Sequence, residues 1–276
     1  SSDLGNPCRG TTLTHQFLAK TGKFTYISNF LSRFHNLPIL GARIDKLFRI
    51  SSYDRIKFNS INGRTIGISN VHEFGFFWKK VFNGNLKISN KSPFVDNLKR
   101  TDLILQNLTN IFELPLVIKN NTFISMNLKL VAKYITNSYF IYCSRNKIEI
   151  AQSILNARVI QKKNKYEWWS IKPVGDSKIL QSNYSDQIIF QILAIENEIE
   201  KEIESIKKPI LIRSQYEKFC KNPNKLISKI NKILFKNKIS IIDQEYKSFE
   251  IQKGQRVGKK DYLELKASLK KLKRIN

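Results

Sequence analysis

The hydrophobic pattern is clearest between Gln187 and Lys208, where Ile188, Ile192, Ile195, Ile199, Ile203 and Ile206 recur three or four residues apart. That period places one apolar seam on a long helix, and Glu196, Glu198, Glu200, Glu202 and Glu204 ride on the same element. Shorter helical patterns run over Thr14–Ala19, Ile27–Phe34 and Ile39–Ile50. Between them and the middle of the chain the period changes to two. Ile56 and Phe58 alternate with polar residues before Asn62-Gly63, and Ile66 and Ile68 after it. An Asn-Gly pair between alternating runs predicts a hairpin, because both turn positions need positive φ. From Phe74 to Phe82 five aromatic residues fall within nine positions beside Lys79 and Lys80, and such density predicts burial.

From about residue 92 helices and strands alternate. Thr101–Phe112 reads as a helix, Leu114–Lys119 and Thr122–Met126 as short strands, and Asn127–Ile135 as a helix. Tyr139–Cys143 reads as a buried strand that turns at Ser144-Arg145-Asn146 into a helix reaching Leu155. After Pro209 come a strand (Ile210–Ser214), a helix (Asn224–Asn237) and a strand (Lys238–Asp243). Alternation of this kind predicts an α/β, doubly wound, mostly parallel sheet with helices on both faces. The expected organisation is a mixed α/β N-terminal extension over 1–100, an α/β domain over 101–251 and a basic tail over 252–276.

Charge narrows the class of partner. The 276 residues carry 48 Lys and Arg against 22 Asp and Glu, a net charge of +26. Self-repulsion on that scale calls for a polyanion, which means RNA, DNA or an anionic membrane surface. Heavy use of Lys, Asn and Ile is also what an AT-rich genome writes, so part of the excess is compositional. No apolar run reaches the 18 or so residues of a spanning helix. A Ser at position 1 fits a chain from which an organellar leader has been removed. Three widely spaced cysteines, Cys8, Cys143 and Cys220, indicate neither a disulfide framework nor a zinc site.

The strand-to-helix junction after Cys143 is where many α/β proteins hold a phosphate. Here "CSRNKIE" has no glycine, and neither GxGxxG nor GxxxxGK[ST] occurs anywhere in the chain. The expectation is a helix capped by Ser144, with Arg145 and Lys147 able to hold one RNA phosphate and no cofactor bound. His15, His35 and His72 are never at ligand or triad spacing. One enzyme-like pattern survives: Asp243, Glu245 and Lys247 alternate, so on a strand they share a face, as the acids and lysine of a Mg²⁺-dependent nuclease would. The residues expected to touch RNA are Lys79 and Lys80 beside the aromatics, Arg145 and Lys147, and the tail cations Lys259, Lys260, Lys270, Lys271, Lys273 and Arg274.

The order of elements from Thr101 onward, through "LPLVIKNNTFISMNLKLVAKYI", "YFIYCSRNKIEIAQSIL", Trp168-Trp169 in "YEWW", the isoleucine-seamed helix and "ISIIDQEY", resembles the ribosomal protein S-two family in a diverged organellar form. The family's Gly-Thr turn is Cys143-Ser144 here, and its His-Phe-Gly-His segment is at most echoed by "VHEFG". The resemblance implies a doubly wound domain with a helical protrusion at 187–208. It further implies a non-enzymatic, rRNA-binding constituent of the small subunit of a mitochondrial ribosome. The implied partners are rRNA and neighbouring ribosomal proteins in the mitochondrial matrix, with no membrane and no homo-oligomer. The metal-dependent nuclease, or another DNA-processing enzyme, is the alternative.

Overall fold

The computed structural model describes residues 2–4, 10–61, 63–91, 93–173, 179, 181–207, 211–234 and 246–272. It is an α/β fold built on a five-stranded parallel sheet of order β2-β5-β1-β6-β7. The strands are β1 (Ser2–Leu4), β2 (Thr25–Tyr26), β5 (Leu116–Lys119), β6 (Phe140–Ser144) and β7 (Leu211–Gln215). Strand β1 is central, pairing through Ser2 with both Ile118 of β5 and Phe140 of β6. Two of the five strands therefore come from the first 100 residues, and the expected boundary near residue 100 falls inside helix α4 (Phe94–Phe112).

Both faces of the sheet's centre are covered, so β5 and β6 alternate between two apolar layers, whereas edge strand β7 alternates buried Ile212 and Ser214 with exposed Arg213 and Gln215. Phe140 and Tyr142 of β6 join Ile118 of β5 in one layer, under α3 (Gly75–Val81), α4 and α5 (Leu128–Tyr134). Ile141, Cys143 and Val117 face the other layer with Phe17 and Leu18 of α1 (Thr11–Lys20), Tyr216 and Phe219 of α8 (Tyr216–Lys221) and Ile227 of α9 (Asn224–Leu234). A third apolar cluster joins α6 (Lys147–Ala157), α7 (Tyr184–Glu204) and α10 (Lys259–Leu272). The isoleucine seam occurs as its period requires: Ile188, Ile192, Ile195, Ile199 and Ile203 are all buried. The aromatic run is core as well, with Phe74 and Phe77 stacked 4.5 Å apart and Trp78 edge-on to Phe77.

The Asn-Gly hairpin forms between β3 (Ser60–Ile61) and β4 (Arg64–Thr65). Three local expectations differ. Thr122–Met126 is a series of turns, because Asn120 Oδ1 accepts the backbone N–H groups of Phe123 (2.7 Å) and Ile124 (3.3 Å) and withholds them from any ladder. Ser144 remains in β6, paired with Gln215, and the cap of α6 is Asn146, whose Oδ1 accepts Ile148 N–H at 2.9 Å. Ile27–Phe34 holds an isolated bridge from Ser28 to Val71 and one 3₁₀ turn over Leu31–Phe34, followed by α2 (Pro38–Phe48).

Candidate functional site

In a sheet of this order the chain leaves β1 toward one edge (β2, β5) and later returns to the other side (β6, β7). The carboxyl ends of the strands around β1 then open a crevice, the usual place for a ligand in α/β proteins. A cavity of about 1120 Å³ lies there, lined by residues just beyond β1 (Gly10, Thr12), β5 (Lys119, Asn121) and β6 (Arg145).

Its first end is built on the start of α1. The amide groups of a helix's first turn have no intrahelical partner and, with the helix dipole, favour an anion. The turn here reads Gly10-Thr11-Thr12, and Gly10 sits at φ +86, a conformation glycine adopts freely. Any Cβ on Gly10 would also run into the ring of Tyr216, so the start of α1 lies close against α8. Lys119, at the end of β5, is buried and forms an ion pair with Glu73. Asn120 reaches back to the Glu73 carbonyl at 3.4 Å, and Asn121 Nδ2 donates to Thr11 Oγ1 at 3.1 Å, so the end of β5 is tied to both neighbouring segments. The hairpin tip shows how tightly these groups converge. A Cβ on Gly63 would lie 3.6 Å from Glu73 Oε1, 3.6 Å from Lys119 Nζ and 3.7 Å from Thr12 Oγ1. A carboxylate, an ammonium and a hydroxyl at a helix start thus surround one point.

Two histidines beside this point are kept neutral. Burial pushes the pKa of His15 down to about 3, the Lys119 charge adding to the effect, and its Nε2 faces the Val117 carbonyl at 3.3 Å. His72 is lowered chiefly by burial, and its Nδ1 accepts the Phe74 N–H at 2.9 Å, which leaves the proton of the neutral ring on Nε2.

The second end is built on the start of α6 and the segment before α10. Arg145 lies over the Tyr216 ring at 4.2 Å and donates to the Gln252 carbonyl at the cavity wall. Arg256 donates to Ser153 Oγ at 3.1 Å and to the carbonyl and carboxylate of Glu149 at 2.7 and 3.0 Å. Gln152 fixes the same segment through the Gly254 carbonyl (3.0 Å) and the Arg256 N–H (2.6 Å). Residues 252–256 are thereby strapped along α6, and Arg145, Ser153 and Arg256 present two cations and a hydroxyl to the cavity.

Of the described residues that the sequence assigned to RNA or metal binding, Arg145 alone lines this cavity. Lys147 is turned away into an ion pair with Glu196 of α7. Lys79 and Lys80 are exposed on α3, with Lys80 3.4 Å from Asn36 Oδ1. Within the tail, Lys259, Lys260 and Lys270 are exposed, whereas Lys271 pairs with Asp186 at 2.8 Å. The helix they belong to is folded onto α6 and α7 through Leu265 and Leu272. Lys273, Arg274, Asp243 and Glu245 lie outside the described residues, and Lys247 is exposed. Among the described residues no three His, Cys, Asp or Glu side chains group as a metal site. Thr12, Glu73, Lys119 and Arg256 went unnoticed in the sequence, where they are far apart. Gly10-Thr11-Thr12 at a helix start was the one local signal.

No family model and no curated protein matches the sequence. Among solved structures, the chain is similar in fold to the sulfotransferase STF9 from Mycobacterium avium, with a TM-score of 0.53 and 12% identity over 98% of this chain and 67% of that one. This overturns the resemblance to the ribosomal S-two family. Element order misled because doubly wound sheets share their alternation, and the order from Thr101 onward leaves out β1, the strand that organises the crevice. The readings drawn from that resemblance are corrected with it: a non-enzymatic constituent of a mitochondrial small subunit, rRNA binding, and rRNA and ribosomal proteins as partners. The Mg²⁺ nuclease alternative is not supported by this fold either.

Proposed function

We propose that the chain is a transferase that moves a sulfuryl group from an activated anionic donor to a hydroxyl or amine of a small-molecule acceptor. The observation that carries this reading is the convergence of Glu73 Oε1, Lys119 Nζ and Thr12 Oγ1 around Gly63 in the cavity wall, in a fold similar to that of a sulfotransferase.

Sulfuryl transfer breaks the bond from sulfur to the donor oxygen and forms one to the acceptor atom, roughly in line. The acceptor must lose a proton and the departing oxygen must carry negative charge. Glu73 is the group placed to take the proton, as general base, and to pass it to solvent through the open cavity. Lys119, Thr12 and the amide groups of the first turn of α1 face the transferring group and the departing oxygen. They act as preorganised donors where charge develops, at no cost of reorientation during the reaction. The ion pair with Lys119 holds the Glu73 carboxylate in position between turnovers. Arg145, Arg256 and Ser153 at the other end suit a second anionic group on the donor, so the donor is a molecule larger than sulfate with two separated negative charges.

The test is transfer of radiolabel from a phosphosulfate anhydride to a panel of small alcohols, phenols, sugars and amines. Label is expected on at least one acceptor class. No label on any of them, or faster transfer of a phosphoryl group from a nucleoside triphosphate, would overturn the assignment.

A further inference from the structure

The outer face of α2 carries large apolar side chains that no described residue covers. Gly41, Ala42 and Asp45 point inward toward α4 and the preceding 3₁₀ turn. On the opposite side Leu37, Leu40 and Leu47 recur at helical spacing and are exposed, followed by Phe48; Leu47 is 75% exposed and Phe48 68%. This stripe continues toward the cavity mouth. His35 contacts the ring of Phe76 at 5.5 Å, Asn36 meets Lys80, and Phe76, 71% exposed, is itself a lining residue of the cavity. Scattered exposed leucines need no explanation, but five large apolar groups on adjoining elements do.

Among the described residues the exposed charges on the stripe's own segment are all positive. Arg33, Arg43, Lys46 and Arg49 are exposed beside it. Between residues 33 and 49 the single acid is Asp45, which is buried and accepts the Ser51 N–H at 2.6 Å. Among the described residues Lys46 alone of these cations forms an ion pair, with Glu113 at 2.7 Å. Leucine and phenylalanine on one side of a short helix, flanked by arginines, is the composition that lies in the plane of a bilayer surface. There the apolar groups enter the acyl boundary and the cations meet anionic headgroups. A protein partner would need an acidic rim around an apolar centre. The anionic bilayer supplies both at once and matches the net charge of +26.

We infer that the α2 face, from Leu37 to Arg49 together with Phe76, is a peripheral docking surface for an anionic membrane, with the cavity mouth at its edge. No described helix is long and apolar enough to cross a bilayer, so the contact is with the surface. The inference stands on the exposed face and not on the reaction assigned to the cavity.

The experiment is flotation of the full chain with phosphatidylcholine vesicles, with and without phosphatidylglycerol. The wild type is expected to float with the anionic vesicles, and less so as salt rises. Leu47→Asp combined with Phe48→Asp should weaken binding at least about tenfold, since the lost apolar burial outweighs any single surface contact. Arg43→Glu should weaken it about fivefold or more. All three side chains are exposed, so thermal unfolding monitored by circular dichroism should be unchanged. Lys201→Glu, an exposed charge on α7, should change binding by less than about threefold, which separates this face from the overall charge. The inference is overturned if the wild type stays unbound to anionic vesicles, or if the α2 variants float as the wild type does. It is equally overturned if sedimentation shows a wild-type dimer that Leu47→Asp converts to monomer, because a second copy would then be what covers the face.

Discussion

The two ends of the cavity are both cationic, yet they are built differently. At the Arg145–Arg256 end each guanidinium is already engaged by its own chain. Arg145 is held by the Gln252 carbonyl and the Tyr216 ring, and Arg256 by Ser153 and Glu149. At the Thr12–Glu73–Lys119 end a carboxylate stands among donors gathered around Gly63 in the cavity wall. Groups held on several sides suit binding, because little order is lost when a ligand arrives. A base set beside a cation and a helix start suits a step in which a proton and negative charge change places.

The sharpest way to break this comparison is Glu73→Gln. If the first end does the chemistry, kcat should fall about 10²–10⁴-fold with donor KM nearly unchanged, measured by label transfer at saturating donor. Gly10→Ala comes next. It forces a side chain into positive φ and into the Tyr216 ring, and should lower stability by about 1–3 kcal/mol in denaturant titrations and abolish donor binding. Arg256→Gln sharpens the contrast from the other side, with donor KM raised about tenfold and kcat held within about twofold. A drop in kcat alone would show that the two ends are not separate in role. The smallest effect belongs to His15, which affects stability rather than rate. Its folded pKa of about 3 lies below the ordinary value of 6.5, so between those values the unfolded chain binds a proton that the folded chain does not. Stability should therefore fall as pH drops from 6.5 toward 3. His15→Gln should flatten that part of the profile while leaving stability near pH 8 little changed, as chemical unfolding at each pH would show.

The scaffold was more legible than the site. Buried strands such as Tyr139–Cys143 and the seam from Ile188 to Ile203 announce themselves, because packing on two faces or one demands a run or a period of apolar residues. The Asn62-Gly63 hairpin was legible because of the backbone conformation its turn requires. Strand β1 was not, since Ser2–Leu4 offers a single large apolar residue and is specified by its neighbours β5 and β6 rather than by its own pattern. Thr122–Met126 has a strand's composition, but Asn120 captured its amides. At the site, Glu73 follows a histidine in an irregular stretch and Lys119 ends an ordinary strand. Each looks like a solvated charge until the sheet brings them together. Arg145 was picked out as a phosphate contact, and the structure places it in a cavity wall rather than on an open RNA-binding surface.

The spread of these residues bears on how the protein comes to be active. Thr12 lies in the first helix and Arg256 just before the last, with Glu73, Lys119 and Arg145 between them. During synthesis the start of α1 leaves the ribosome long before the strand that flanks it or the strap that closes it. The central strand β1 must wait for β5 and β6, which lie more than a hundred residues downstream. Non-local pairing of this kind is slow, and it leaves apolar surface and open strand edges exposed in the meantime. A nascent chain therefore holds Thr12, Glu73 and Lys119 before Arg145 and Arg256 follow. Its vulnerable interval is the one before β6 emerges, when a chaperone would have most to cover.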